Sequence, residues 1–166
     1  MRIFVIGLPG SGKTTLGRQL AQALRLPFFD LDQSIEAEQK MPVREIFRTK
    51  GEVYFRKTEA GMLRKITQGH AAFVLATGGG TPCFFDNMNF MNEAGITIYL
   101  NVPVEQIAQR MSAEETEKRP LFQRQPVQQI LEKLLAERLS FYKRARYTVT
   151  DADLPAIVRL LTVLRK

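Results

Sequence analysis

The sequence has little of the chemistry on which many secreted proteins and enzymes depend. Its 166 residues include one cysteine, one histidine and no tryptophan. Cys83 alone allows neither an intrachain disulfide nor a cysteine cage for zinc. His70 alone would have to carry any Ser-His or Cys-His catalysis, and we interpret it as an ordinary surface residue in a turn. A reducing cytoplasm is the expected location.

Long apolar runs are also missing. The N-terminal run of residues 3–6 is too short for the core of a signal peptide. The longest uncharged stretch, residues 71–85, contains three consecutive glycines and Pro82, so it does not fit a membrane span. We therefore expect no membrane partner.

The charged residues are unequally divided between the two signs. Lys and Arg total 24, Asp and Glu total 17, and the net charge is +7. This balance suits an anionic ligand. The basic residues are spread along helical segments, without the interleaved aromatic residues of a single-strand binder. A nucleic-acid-binding module is the alternative from another functional class, and we expect no nucleic-acid partner.

Short apolar runs alternate with longer segments of helical periodicity. The predicted strands are residues 3–6, 28–29, 73–76, 97–100 and 147–149. The predicted helices are residues 13–24, 33–68 with breaks near Pro42 and Gly51, 85–94, 104–111, 126–144 and 155–165. This order predicts one α/β domain over residues 1–166, a three-layer α/β/α sandwich around a five-stranded parallel sheet. The polar residues 112–125 are predicted to form a mobile lid.

A phosphate-binding loop, residues 7–15, follows the first predicted strand. Residues 7–14 match the pattern G-x-x-x-x-G-K-[ST] in full. Such glycines let backbone N–H groups form a nest for phosphate oxygens, and the next helix directs its positive dipole end there. Lys13 is predicted to reach the β- and γ-phosphates of a nucleoside triphosphate, and the Thr14 hydroxyl to hold Mg²⁺. The predicted nucleotide contacts in the loop are Gly10, Ser11, Gly12, Lys13, Thr14 and Thr15.

The residues after the other strands narrow the class of nucleotide-binding protein. The third strand ends in Thr77-Gly78 without an aspartate, and no N-K-x-D signature is present, which argues against a GTPase. Asp30 and Asp32 follow the second strand, at the edge of the sheet where ligands gather. One carboxylate there can hold a Mg²⁺-bound water and the other an acceptor hydroxyl, although Asp30 can also simply cap the next helix. The pattern predicts a small phosphotransferase.

The ordered motifs of the chain closely resemble those of the shikimate kinase family. Besides the loop, the matching pieces are Asp30-Leu31-Asp32, Phe55-Arg56-Lys57-Thr58-Glu59, Gly78-Gly79-Gly80, Arg119-Pro120-Leu121 and Glu137-Arg138 with Tyr142. The resemblance implies a P-loop fold like that of nucleoside-monophosphate kinases. It also implies transfer of the ATP γ-phosphoryl group to the 3-hydroxyl of shikimate, with Mg²⁺, in aromatic amino-acid biosynthesis. Another small P-loop kinase, such as a gluconate kinase or a nucleoside-monophosphate kinase, is the nearest alternative.

The resemblance assigns a substrate site within and around a shikimate-binding segment of residues 31–60. Asp32 would contact the shikimate hydroxyls and orient or deprotonate the nucleophile. Arg56 and Arg138 would bind the shikimate carboxylate. The triple glycine would let the ring approach the backbone. Glu59, on the same helix face as one arginine, is expected to fix the guanidinium. The predicted substrate-binding residues are Asp32, Arg56, Gly78, Gly79, Gly80 and Arg138.

The resemblance also assigns the nucleotide side of the reaction. Arg119 in the lid would close over the phosphates, Asp30 would support Mg²⁺ through water, and Arg110 and Pro155 would sandwich the adenine. The predicted catalytic residues are Lys13, Asp32 and Arg119. We expect a monomer whose partners are shikimate and ATP. One departure from the family pattern is Thr81-Pro82-Cys83, where a small residue followed by an apolar one is usual.

Overall fold

A parallel five-stranded sheet forms the centre of the structure, a computed structural model that describes residues 1–111, 126–150 and 153–164. The strand order is β2-β3-β1-β4-β5. The strands are β1 (Arg2–Ile6), β2 (Phe28–Asp30), β3 (Phe73–Ala76), β4 (Ile96–Leu100) and β5 (Tyr147–Val149). The α-helices within the described residues are α1 (Lys13–Leu24), α2 (Leu31–Gln39), α3 (Val43–Gly69), α4 (Asn87–Ala94), α5 (Val104–Arg110), α6 (Val127–Tyr142) and α7 (Leu154–Val163).

The central strand β1 is apolar because it is covered on both faces. Its Ile3 pairs with Val74 of β3 on one side and with Ile96 of β4 on the other. Residues 3–6 and 73–76 are all buried. A parallel strand buried on both faces is a continuous apolar run rather than an alternating one, and this property made both strands visible in the sequence.

The connections between the strands place helices on both sides of the sheet. From β1 the chain crosses over β3 to β2, whereas every later crossover runs in the opposite direction. Right-handed crossovers in opposite directions put α1 on one face and the helices from α2 to α6 on the other. The last helix, α7, packs against α1. The change of direction occurs at β1, whose carboxyl end opens into the crevice where α/β proteins bind ligands.

The predicted elements are confirmed in kind and order. The helix over residues 13–24 and the strands over residues 73–76 and 147–149 match the structure residue for residue. The predicted breaks in the long helical segment are also present. Pro42 precedes α3, and Gly51 interrupts it with φ 80° and ψ 171°.

Several predicted boundaries differ from the structure by one or two residues, and two helix starts differ by two residues for local reasons. The helix predicted from residue 85 begins at Asn87, because Phe85 and Asp86 have left-handed φ values of 49° and 56°. A 3-10 turn over Thr81–Cys83 precedes it and was not predicted. The helix predicted from residue 33 begins at Leu31, because the Asp30 carboxylate caps it by accepting from the Gln33 N–H.

The predicted lid, residues 112–125, lies outside the described residues, and so does its Arg119. None of the helices in the described ranges combines the length and the apolar character needed to cross a membrane.

Candidate active site at the carboxyl edge of the sheet

The phosphate-binding loop connects β1 to α1 with the backbone that its glycines permit. Gly7, Gly10 and Gly12 have φ values of 149°, 77° and 96°, which L side chains rarely adopt. Lys13 is the first residue of α1 and is 8% exposed, and its Nζ donates a 2.7 Å hydrogen bond to the carbonyl of Leu8. The ammonium group is therefore held against the loop itself, close to the nest that a phosphate would occupy.

Ser11 lacks an acceptor for its buried hydroxyl within the described parts of the chain. The residue is 3% exposed, and its Oγ has no hydrogen-bond partner there. Its Oγ lies 3.2 Å from the position of a Cβ on Gly7, inside the loop. A buried hydroxyl without a partner is costly, and a phosphate group in the nest would supply acceptor oxygens. The loop thus fits the nucleotide that its sequence predicts.

Asp30 divides its two carboxylate oxygens between a helix cap and the loop. One oxygen accepts from the Gln33 N–H at 3.2 Å, and the other accepts from the Thr14 hydroxyl at 2.8 Å. Both roles that the sequence predicts for Asp30, as a helix cap and as a support for Mg²⁺, are therefore compatible with its position. Among the described residues no cluster of three or more His, Cys, Asp and Glu forms a metal site. Mg²⁺ binds with one or two protein oxygens plus phosphate and water, so Thr14 and Asp30 fit it.

The triple glycine after β3 is the point where the predicted substrate-binding residues meet. A Cβ on Gly80 would lie 2.5 Å from Nη2 of Arg56, and one on Gly79 would lie 3.1 Å from Nη1 of Arg138. A Cβ on Gly78 would lie 3.2 Å from Oδ1 of Asp32. The structure therefore brings the Asp32 carboxylate and two guanidinium groups to a single glycine turn, which the Glu59 carboxylate also contacts at 2.8 Å from a Cβ on Gly78. The turn has no room for larger side chains.

The glycine turn and the phosphate-binding loop are in direct contact. A Cβ on Gly79 would lie only 2.8 Å from Cδ of Pro9. The anion nest of the loop and the guanidinium groups at the turn are therefore neighbours at the same edge of the sheet. Such an arrangement can hold a polyphosphate beside a second, smaller anion.

Arg56 is fixed before any ligand arrives. The residue is 8% exposed; its Nη1 donates to Glu59 at 3.0 Å and its Nε to Glu52 at 3.3 Å. Within the described residues no hydrogen bond engages Nη2, the nitrogen nearest Gly80. Burial raises the pKa of the Glu59 carboxyl, and the Arg56 guanidinium and the Thr81 hydroxyl oppose this rise. Glu59 thus acts on Arg56 as expected, whereas Glu52 was not predicted.

The 3-10 turn over Thr81–Cys83 completes the support of this arginine. The Thr81 hydroxyl donates to Glu59 at 2.6 Å. The Thr81 carbonyl accepts from Asn87 at 3.0 Å, and Asn87 in turn accepts from Arg64 at 2.7 Å. From the sequence this stretch was recognised only as a departure from the family pattern, and its support of Arg56 through Glu59 was not predicted.

Tyr142 connects the last turn of α6 to the glycine turn. Its hydroxyl donates a 2.6 Å hydrogen bond to the Gly79 carbonyl, and its ring stacks on Tyr99 with centroids 5.0 Å apart. The side chain is fully buried; burial raises the pKa of its hydroxyl, and the positive charge of Arg138 opposes this rise. Tyr142 belongs to the motif of Glu137-Arg138 in the same helix, but its role could not be inferred without the fold.

The remaining residues predicted to contact the nucleotide lie on three helices. Thr15 is an exposed residue in the first turn of α1. Arg110 is exposed at the end of α5 and donates to Gln106 at 3.4 Å, and Pro155 is exposed at the start of α7. A Cβ on Gly10 would lie 3.1 Å from Sδ of Met111, so the described chain before the predicted lid ends against the loop. The adenine contacts stay predictions.

Neither the cysteine nor the histidine is among the side chains that lie nearest the glycine turn in the described structure. Cys83 is half-buried, and burial raises the pKa of its thiol, which makes it less reactive. His70 is exposed beside Phe29, with its Nδ1 3.1 Å from the Ile66 carbonyl.

Comparisons with known proteins agree with this geometry. A family model described as shikimate kinase matches residues 9–164. A shikimate kinase from Bacteroides fragilis is 40% identical over 150 residues, which cover 89% of this chain and 83% of that protein.

Solved structures show the same likeness over the whole length. The crystal structure of shikimate kinase from Bacteroides thetaiotaomicron superposes with a TM-score of 0.88 at 35% identity and covers 100% of this chain and 99% of that one. Shikimate kinase from Acinetobacter baumannii in complex with shikimate has a TM-score of 0.89 at 37% identity and covers 99% of this chain and 94% of that one. With this sheet, this loop and this glycine turn, the chain belongs to the shikimate kinase family.

Proposed function

We propose that the protein transfers the γ-phosphoryl group of ATP to the 3-hydroxyl of shikimate and releases shikimate 3-phosphate and ADP. The observation that carries the proposal is the meeting of Asp32, Arg56 and Arg138 at the glycine turn, beside Pro9 of the phosphate-binding loop. Shikimate is a polyol with one carboxylate, so arginine forks and one aspartate match its two kinds of functional group.

The acceptor is oriented from its two ends. Arg56 and Arg138 bind the carboxylate, and the glycines between them let the ring lie against the backbone. Asp32, in the first turn of α2, accepts the hydrogen bond of the 3-hydroxyl. The hydroxyl oxygen bonds to the γ-phosphorus as the bond to the β,γ-bridging oxygen breaks, and the hydroxyl proton passes to the Asp32 carboxylate.

The nucleotide is held by the loop and by Lys13, whose ammonium group moves from the Leu8 carbonyl to the phosphates. Thr14 would hold Mg²⁺ and Asp30 would support it through water, and the ion would neutralise negative charge on the phosphate oxygens. Arg119, in the predicted lid, adds positive charge beside the transferred phosphoryl group. Arg110 and Pro155 contact the adenine.

The first test is a coupled assay of ADP release with ATP and Mg²⁺. Shikimate, gluconate and nucleoside monophosphates are compared as acceptors at equal concentration. We expect strong stimulation by shikimate alone. Stimulation by gluconate or by a nucleoside monophosphate instead would assign the same loop and sheet to another small kinase and would contradict the proposal.

Two substitutions test the roles of the acceptor site. Asp32→Asn should lower kcat by orders of magnitude, because an amide cannot take the hydroxyl proton. Arg138→Ala should chiefly raise the KM for shikimate. Lys133→Ala, which removes an exposed charge from the same helix, is the control and should behave as the unchanged protein. Near-normal turnover by Asp32→Asn would remove it from proton transfer.

We further propose that the enzyme is a monomeric single domain of the reducing cytoplasm, with small molecules as its only partners. In support, all the substrate-binding groups named above come from one chain, and the chain has a single, half-buried cysteine. Light scattering after gel filtration tests the oligomeric state, with a mass near 18.9 kDa as the expected result.

A further inference from the structure

Phe84, the residue after the 3-10 turn, is the aromatic residue nearest to the guanidinium of Arg56. Its ring centroid lies 4.4 Å from Cζ of that arginine, whereas the rings of Phe55 and Phe47 lie at 5.2 Å and 5.8 Å. We infer that Phe84 is a positioning residue that sets the affinity for the substrate carboxylate through Arg56. This inference rests on the proposed function and extends it to a residue outside the matched motifs.

The ring favours carboxylate binding because it does not compete for hydrogen-bond donors. Glu59 and Glu52 already accept from Nη1 and Nε, so a third carboxylate or amide near the guanidinium would occupy donors that a substrate needs. An aromatic face attracts the cation without accepting a conventional hydrogen bond. The donors nearest Gly80 are thus kept for the ligand.

The ring also keeps water away from the ion pair that the ligand completes. Arg56 is buried, and the Phe84 side chain is itself partly buried against it. A hydrogen bond between ions is stronger where water is excluded. Replacing the ring with an aliphatic side chain of similar size removes the cation–π attraction while most of the water exclusion is kept. Aromatic character and bulk can therefore be tested separately.

The backbone around Phe84 is held independently of its ring. Its carbonyl accepts from the Asn87 N–H at 3.0 Å, and the Cys83 N–H donates to the Gly80 carbonyl at 2.9 Å. The backbone at Phe84 is extended, with φ −123° and ψ 153°, which suits any L residue. A change of the side chain therefore leaves the turn in place.

The experiment is a ring series at position 84, assayed for ADP release with shikimate varied at saturating ATP. Phe84→Leu and Phe84→Met should raise the KM for shikimate by about tenfold, which corresponds to about 1.4 kcal/mol and lies between the values for exposed and desolvated cation–π contacts. Their kcat should stay within about twofold, because the carboxylate is bound equally in the ground and transition states. Phe84→Tyr and Phe84→Trp should restore the low KM.

Phe28→Leu is the matched control, because Phe28 faces Arg18 at 5.4 Å at the start of β2, away from the carboxyl edge. It should leave the KM for shikimate unchanged, and the KM for ATP should be unchanged in every variant. Equal KM values for the leucine, methionine and aromatic variants would overturn the inference alone. Absence of shikimate turnover by the unchanged protein would overturn the proposed function, and the inference with it.

Discussion

Gly80→Ala places one methyl group against the Arg56 guanidinium, which is proposed to bind the substrate carboxylate. The backbone at Gly80 has φ −91° and ψ −13°, a conformation open to alanine. The added Cβ would lie 2.5 Å from Nη2 of Arg56 and 2.8 Å from Cζ. Because Glu59 and the ring of Phe84 hold the guanidinium, it cannot swing aside without loss of those contacts.

The size of the loss in stability follows from the hydrogen bond between Arg56 and Glu59 that the added methyl group would disturb. A buried hydrogen bond between charged groups contributes roughly 1.5–3 kcal/mol, and displacement of the guanidinium leaves Glu59 buried with less compensation. Alanine stiffens the unfolded chain and returns roughly 0.4–1 kcal/mol. The free energy of unfolding should therefore fall by about 1–2 kcal/mol, which lowers Tm by about 2–8 °C in a domain of this size. The KM for shikimate should rise on the order of tenfold or more, because one carboxylate ligand is displaced.

Gly61→Ala is the matched control for this substitution. Gly61 lies within α3, and a Cβ there would meet nothing within 4 Å. Alanine should stabilise the helix by up to about 1 kcal/mol and leave both KM values unchanged. Thermal unfolding followed by circular dichroism and steady-state ADP release supply the readouts. A Gly80→Ala protein with unchanged Tm and unchanged shikimate KM would refute the placement of Arg56 at the turn.

Three further outcomes follow from the contacts of the site. Tyr142→Phe removes the hydroxyl that donates to the Gly79 carbonyl and should raise the KM for shikimate several-fold in steady-state assays. Tyr99→Phe is the control and should leave this KM unchanged, because the Tyr99 hydroxyl donates to Asn101 instead. Asp30→Asn keeps a helix cap but removes the negative charge, so a higher Mg²⁺ concentration should be needed for half-maximal activity. Asp153→Asn, at another helix cap, is the control and should leave the Mg²⁺ titration unchanged. An unchanged titration for Asp30→Asn would show that Asp30 serves only as a cap. Burial raises the pKa of the Glu59 carboxyl, so the stability that this group contributes is fully present below its ordinary pKa of 4.5 and is lost as the pH rises through the raised pKa. Denaturant titrations from pH 4 to pH 8 should therefore show a smaller fall in the free energy of unfolding for Glu59→Gln than for the unchanged protein.

Much of the fold could be predicted because its signals are local. The strand over residues 73–76 is a continuous apolar run, and α1 begins at the lysine of a motif whose geometry is fixed by its glycines. The start of α4 could not be predicted, because Phe85 and Asp86 adopt left-handed conformations without a glycine to indicate them. Tertiary contacts of this loop, among them the Arg64 hydrogen bond to the Phe85 carbonyl, determine its path.

The candidate site was predicted through the resemblance of its ordered motifs to a known family. That resemblance assigned two arginines, an aspartate and three glycines to one substrate site, and the structure brings them together. The support of Arg56 by Thr81 and Phe84 was not predictable. A threonine and a phenylalanine after a glycine turn have no distinctive pattern, and only the fold shows that they face α3.

The contact between Pro9 and Gly79 gives the two substrate sites a shared wall. If nucleotide binding shifts the phosphate-binding loop, the shift reaches the glycine turn directly, because Pro9 of the loop lies against Gly79. Any tightening of shikimate by ATP must be matched by an equal tightening of ATP by shikimate, because a coupling free energy is reciprocal. The order in which the two substrates arrive would then change the route to the ternary complex but not its stability.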